Sequence, residues 1–185
     1  MDMITIFAVA FGLAMDAFAV SITSGTRIKR PKINNALKIA IFFGLFQAGM
    51  LLIGWLAGYS LKDFITGSDH WIAFGLLSLV GCKMIYESIK TESSKKETNP
   101  QNFYVLLILS VATSIDALAV GVGFAFLKVL IVISIIVVGA VTFLLSFLGF
   151  FAGNRFGHLF GNKIEIVGGL ILIGIGIKIL VEHLV

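Results

Sequence analysis

Six runs of mostly apolar residues, at or near the length that crosses a bilayer, leave this chain few folds to adopt. They cover roughly residues 4–24, 39–59, 71–86, 103–126, 129–152 and 164–181. About 20 helical residues span a hydrocarbon core about 30 Å thick. Inside that core a helix satisfies every backbone N–H and C=O within one segment. The chain is therefore expected to be an all-α integral membrane protein with six transmembrane helices. Composition agrees: 58% of the residues are hydrophobic and 13% charged, where a soluble domain carries about 25% charged residues. Both prolines, Pro31 and Pro100, fall between runs, so proline kinks no predicted span. No basic stretch precedes the first run, which is long enough to span and so reads as a helix, not a cleavable leader.

The runs come in two sets of three. GLAMDAFAVS (residues 12–21) has a counterpart in ATSIDALAVG (residues 112–121), with Asp16 and Asp116 separated by 100 positions. GWLAG (54–58) matches GFFAG (149–153), and GCKMIYE (81–87) matches GIKILVE (176–182), both at an offset of 95. Two copies of a three-helix unit follow: repeat one at about 1–87, a polar linker at about 88–102, and repeat two at about 103–185, in one membrane domain. An odd number of spans per copy orients the copies oppositely. Many secondary transporters have this inverted plan, with a substrate site near the midplane.

Charge sets the expected orientation. With the N-terminus outside, ten Lys and Arg lie on inner loops and only Lys62 and Lys128 on outer ones, a bias that obeys the positive-inside rule. Both termini are then extracellular. The net charge of +4 is thus accounted for by topology, and nucleic acid is not an expected partner. The polar stretch SGTRIKRPKINN (24–35) is expected as an inner loop. Cys82 is the only cysteine, which excludes a disulfide framework and a CxxC redox motif.

An aspartate in hydrocarbon costs about 2.5–3.5 kcal/mol on insertion scales, so two at matched positions call for a function. Asp16 lies about 18 Å into the first run and Asp116 about 20 Å into the fourth, at 1.5 Å per residue. Entering from opposite faces, they reach similar depth. Two close carboxylates repel one another; one divalent cation, or protons, neutralises them, which is the minimum for cation–proton exchange. Oxygen ligands favour hard ions such as Mg²⁺, Ca²⁺ and Mn²⁺. Gln47, its repeat partner Thr142, Ser21 and Thr113 offer further oxygens, as does Ser114. Met15 and Met50 could add a thioether and shift preference toward a transition metal. The expected metal-binding set is Asp16, Asp116, Gln47, Thr142, Ser21 and Thr113. The ion would be cargo, with no resident cofactor.

Each feature has a plainer alternative. The aspartates could be structural hydrogen-bonding groups, and Gln47 and Thr142 polar contacts between helices. GWLAG and GFFAG are Gly-x-x-x-Gly patterns suited to close helix packing. Lys83 and Lys178 have Glu87 and Glu182 one turn on, and are expected to reach the membrane interface beside them. His70, His158 and His183 fall outside the apolar runs and are expected to be solvated. No HExxH or hydrolytic constellation is present, so an enzyme is not expected. Other open possibilities are an exporter or channel for another divalent cation or an amino acid, and a non-transporting assembly protein.

The motifs MDAFAVS (15–21), TSIDALAVGVG (113–123), IGW (53–55), HWIAFGLL (70–77) and EIVGGLILIGIG (165–176) together give the chain a family likeness. It closely resembles the bacterial MntP-type manganese efflux pumps of the lysine-exporter superfamily, over essentially its whole length. The resemblance implies six spanning helices, a plasma-membrane location, export of excess Mn²⁺ and a requirement for Asp16 and Asp116. Its partners are then the lipid bilayer, Mn²⁺ and, as coupling ion, protons.

Overall fold

A computed structural model describes residues 3–27, 33–61, 69–90, 102–127, 129–156 and 163–184. The body of the polar linker, the inner-loop residues 28–32 and the histidine at 158 lie outside the described residues. The described chain forms six helices: α1 (Met3–Arg27), α2 (Ile33–Leu61), α3 (Asp69–Lys90), α4 (Phe103–Phe126), α5 (Ile131–Phe156) and α6 (Lys163–Leu184). Strands are absent among the described residues. Asn102 caps α4, its side chain accepting from the Tyr104 N–H at 3.1 Å. Four helices hold apolar stretches long enough to cross a membrane: Met3–Thr26, Ile33–Ser60, Phe103–Phe126 and Ile131–Arg155. α3 and α6 hold shorter ones, Phe74–Lys83 and Leu170–Ile179, each ending at or beside a lysine.

The basic inner loop is shorter than its composition suggests. α1 continues to Arg27 and α2 begins at Ile33. The hydroxyls of Thr23, Ser24 and Thr26 donate to carbonyls of their own helix, at Ala19, Val20 and Thr23. Those polar side chains are satisfied without leaving the helix. Gly25 is held against α5, and its carbonyl accepts from Asn154 Nδ2 at 3.3 Å.

α5 shows how each helix chooses its faces. Ser134, Val138, Thr142, Ser146 and Phe150 recur every four residues and are fully buried. Val132, Ile136, Leu144 and Leu148 recur on another face and are more than half exposed. Residues four apart share one helix face. Hydroxyls inside and large aliphatic groups outside suit a hydrocarbon surrounding.

Apart from α3 and α4, helices adjacent in sequence barely pack together. The extensive contacts are α1 with α5, α2 with α4, α3 with α6, and α2 with α5. Glycines set the first two. A Cβ on Gly54 would overlap the Leu118 carbonyl oxygen, and one on Gly58 would meet Val122 at 2.8 Å. A Cβ on Gly149 would meet the Phe18 ring at 2.6 Å, and one on Gly153 would overlap the Ile22 carbonyl oxygen. Only a residue without Cβ lets the backbones approach this closely, the role expected of both Gly-x-x-x-Gly patterns. The contacts advance in step along each pair, so α2 runs parallel to α4 and α1 to α5. α2 and α5 meet at Gly44 and Gly139, with Gly44 against Phe143 and Gly139 against Ala48. That exchange of neighbours is antiparallel.

Two apolar clusters result. One draws on all six helices, including Leu13, Leu51, Leu77, Val120, Val138 and Leu172. The other is built from Ala17, Ala36, Ile39, Phe43, Leu106 and Phe150 on α1, α2, α4 and α5.

Candidate cation site

Four helices pass from one apolar cluster to the other, and each carries polar residues where it crosses. On α1, Asp16 lies between Met15 of the six-helix cluster and Ala17 of the second. On α2, Gln47 lies between Phe43 of the second cluster and Leu51 of the first. On α4, buried Ser110, Thr113, Ser114 and Asp116 separate Leu106 from Ala117. On α5, buried Thr142 and Ser146 lie between Val138 and Phe150. On all four helices the polar residues thus mark the crossing between the two apolar clusters, a polar layer defined by position along each helix.

Asp116 is the most enclosed charge in that layer, at 3% exposure. The face it shares with Thr113, Ala117 and Val120 points inward. Its Oδ1 accepts from Lys83 Nζ on α3 at 2.8 Å. Its Oδ2 is buried without a hydrogen-bond partner. Asp16 is half-buried, and Leu13, Ala14 and Ala17 beside it on α1 are buried.

Gln47 is fully buried and plays two parts. Its Nε2 donates to the Leu13 carbonyl at 3.2 Å, one turn before Asp16. Its Oε1 has no partner. Thr142 holds the equivalent position on α5: each lies three residues past the glycine at the α2–α5 crossing, Gly44 or Gly139. The Thr142 hydroxyl is also buried without a partner, as are those of Ser21 and Ser146. A buried polar atom left unpaired costs about 1–3 kcal/mol, so oxygens collected in one layer call for a ligand or a role.

The six expected site residues separate on this evidence of partners. Asp116, Gln47, Thr142 and Ser21 each present an unpartnered buried oxygen. Ser21 lies more than one turn beyond Asp16, on the side of Ala17 and Val20. Thr113 instead donates to the Leu109 and Ser110 carbonyls of its own helix, at 3.0 and 3.2 Å. Its oxygen keeps accepting capacity only. Met15 and Met50 belong to the apolar packing. Groups of three or more His, Cys, Asp or Glu are absent among the described residues. A cation bound here would need neutral oxygens beside the carboxylates.

Lys83 corrects the sequence-based expectation. Its ammonium reaches the buried Asp116 on another helix, while the side chains of Glu87 and Glu182 lie outside the described residues. Lys178 is likewise drawn inward to α1, where Nζ donates to Thr5 Oγ1 at 3.0 Å. A signal was available: two lysines recur at one offset inside otherwise apolar stretches. Ser146 was also missed; its repeat counterpart is Leu51, so no repeated polar residue marks it.

The chain's likeness to known proteins is full-length. The family described as "Putative manganese efflux pump" matches residues 30–180. A protein of that description, MntP, from Gloeothece citriformis is 56% identical over 100% of this chain and 97% of its own. One from Methanosarcina mazei is 52% identical over 100% and 98%, and one from Clostridium perfringens 48% identical over 99% and 96%. No solved structure matches the chain.

Proposed function

The chain belongs to the MntP family, described as "Putative manganese efflux pump", and from that premise we propose that it exports Mn²⁺ from the cell as a secondary transporter. Asp16 and Asp116 supply the charge, and Gln47, Thr142, Ser21 and Thr113 the neutral oxygens. The observation that carries this is the polar layer, where Asp116 Oδ2 and Gln47 Oε1 are buried without partners. Manganese suits a set of carboxylate, amide and hydroxyl oxygens. Two carboxylates also offer the release step: protonation removes the charge that holds the ion, which couples export to inward proton movement.

All six helices span the plasma membrane in this proposal, as two oppositely oriented repeats with both termini outside. The matched glycine contacts and the exchange of helix partners between halves support that arrangement. The halves then rock about the layer, opening it to each side in turn. The protein is a carrier of ions and performs no enzymatic conversion.

Uptake into inverted vesicles tests the proposal. Mn²⁺ should accumulate, faster with a proton gradient, while lysine should not. Mn²⁺ uptake equal to that of vesicles without the protein would overturn it.

A further inference from the structure

Lys83 contacts the layer from α3, and the proposed transport cycle has not yet used it. It follows Val80 of the six-helix cluster by one turn and reaches across to α4. Its side chain is 34% exposed, against 4% for that of Asp116. The lysine side chain is therefore less confined than the carboxylate, on a flexible four-carbon stem.

We propose that Lys83 is a tethered counter-ion that competes with the transported cation for Asp116. It is a positioning residue: it binds no metal and acts through the carboxylate. This inference rests on the proposed Asp16–Asp116 site. With Lys83 in place the two aspartates and the lysine carry a net charge of −1. A divalent ion added to that set leaves +1 in a low-dielectric layer, and the ion and the ammonium repel. Withdrawal of Lys83 leaves −2, which one Mn²⁺ neutralises. The unpartnered Oδ2 gives the incoming ion a first contact while Oδ1 is still held. Return of the ammonium to Oδ1 then weakens the last hold on the ion and covers the carboxylate once it has gone. No proton changes hands at the lysine; it remains charged throughout.

Mn²⁺ binding to the purified full-length chain, measured by titration calorimetry, separates this from a purely structural ion pair. Lys83→Gln removes the competitor, so Kd should fall about tenfold, equivalent to about 1.4 kcal/mol, while export slows. Lys83→Arg strengthens the competitor, because a guanidinium can grip a carboxylate with two parallel hydrogen bonds. Its Kd should rise several-fold. Opposite signs from the two variants are the expected result. Kd unchanged by either variant would overturn the inference, as would weaker binding in Lys83→Gln. If Lys83→Gln does not fold, Lys83→Arg decides alone, with an unchanged or lower Kd overturning it. Asp116→Asn separates the two proposals. If it abolishes binding while both lysine variants bind like the parent, only the counter-ion is wrong. If it binds and exports like the parent, the site itself is wrong.

Discussion

Lys83 and Lys178 occupy the same position in the two halves of the chain, yet their described contacts across helices differ. Lys83 reaches the buried carboxylate of Asp116 on α4. Lys178 reaches the hydroxyl of Thr5 on α1. Thr5 lies eleven residues before Asp16, the counterpart of Asp116, or about 16 Å along the helix. Elsewhere the halves agree closely. Gly54 and Gly149 press on Leu118 and Phe18, and Gly58 and Gly153 on Val122 and Ile22, each at its own repeat's equivalent position. The difference teaches that the glycine-bearing helix pairs follow the repeat, whereas α6 meets α1 in a different register from α3 on α4. Close glycine contacts have one geometry. An offset of about 16 Å is more than a lysine stem spans, so the helix that carries Lys178 is itself displaced.

Neutralising the aspartates should have the largest effect. Asp116→Asn and Asp16→Asn should each abolish Mn²⁺ export, read as the Mn²⁺ sensitivity of cells producing each variant at equal membrane levels. Asp→Glu at either position should keep partial activity, since the charge survives and moves by one methylene. A variant that fails in one half alone would extend the lysine asymmetry to the carboxylates.

Glycine substitutions should instead show the halves as equals. Gly54→Val and Gly149→Val both force side-chain atoms into a packed helix contact. Overpacking of this kind costs typically about 1–3 kcal/mol, and thermal unfolding in detergent should drop by similar amounts for the two. A loss confined to one half would break the packing equivalence.

The lysines should part again. Of its described contacts, Lys178→Gln loses the one with the Thr5 hydroxyl, worth about 0.5–1.5 kcal/mol for a neutral pair and somewhat more for a charged donor. Its Mn²⁺ Kd should stay at the parental value, in contrast to that of Lys83→Gln. A tighter Kd in Lys178→Gln, measured by the same calorimetry, would make the two lysines functional equivalents.

The smallest change expected is at Thr142. Thr142→Val keeps the shape and deletes a buried hydroxyl that has no partner. Stability should hold or rise slightly, because an unpaired polar atom has been removed. Mn²⁺ binding should weaken a few-fold if that oxygen faces the ion. Binding that is unchanged would assign the layer's neutral oxygens to Gln47 and its neighbours.

Much of this was legible before any coordinates. The apolar runs predicted the helices, and the described ends of α4 fall where the sequence put them, at Phe103 and Phe126. Gly-x-x-x-Gly in the second and fifth runs predicted close packing, because a missing Cβ has few other uses in an apolar helix. Four of the six proposed ligand residues, Asp116, Gln47, Thr142 and Ser21, do present unpartnered buried oxygens. The inner loop was drawn too long, because Ser24 and Thr26 read as loop residues until their hydroxyls are seen bonded to their own helix.

The sequence by itself determined that this chain is helical and apolar, that it carries two matched aspartates, and that its small residues recur where helices must approach. Those properties depend on residue type and on spacing along one helix, which the sequence states directly. Only the tertiary structure decided that the polar residues of four helices share one layer, that α2 packs on α4 and α1 on α5, and that Lys83 holds Asp116. Sequence spacing predicts neighbours three or four residues apart, and it gave Lys83 the glutamate one turn away. The partner 33 residues on became available only when α3 was laid beside α4.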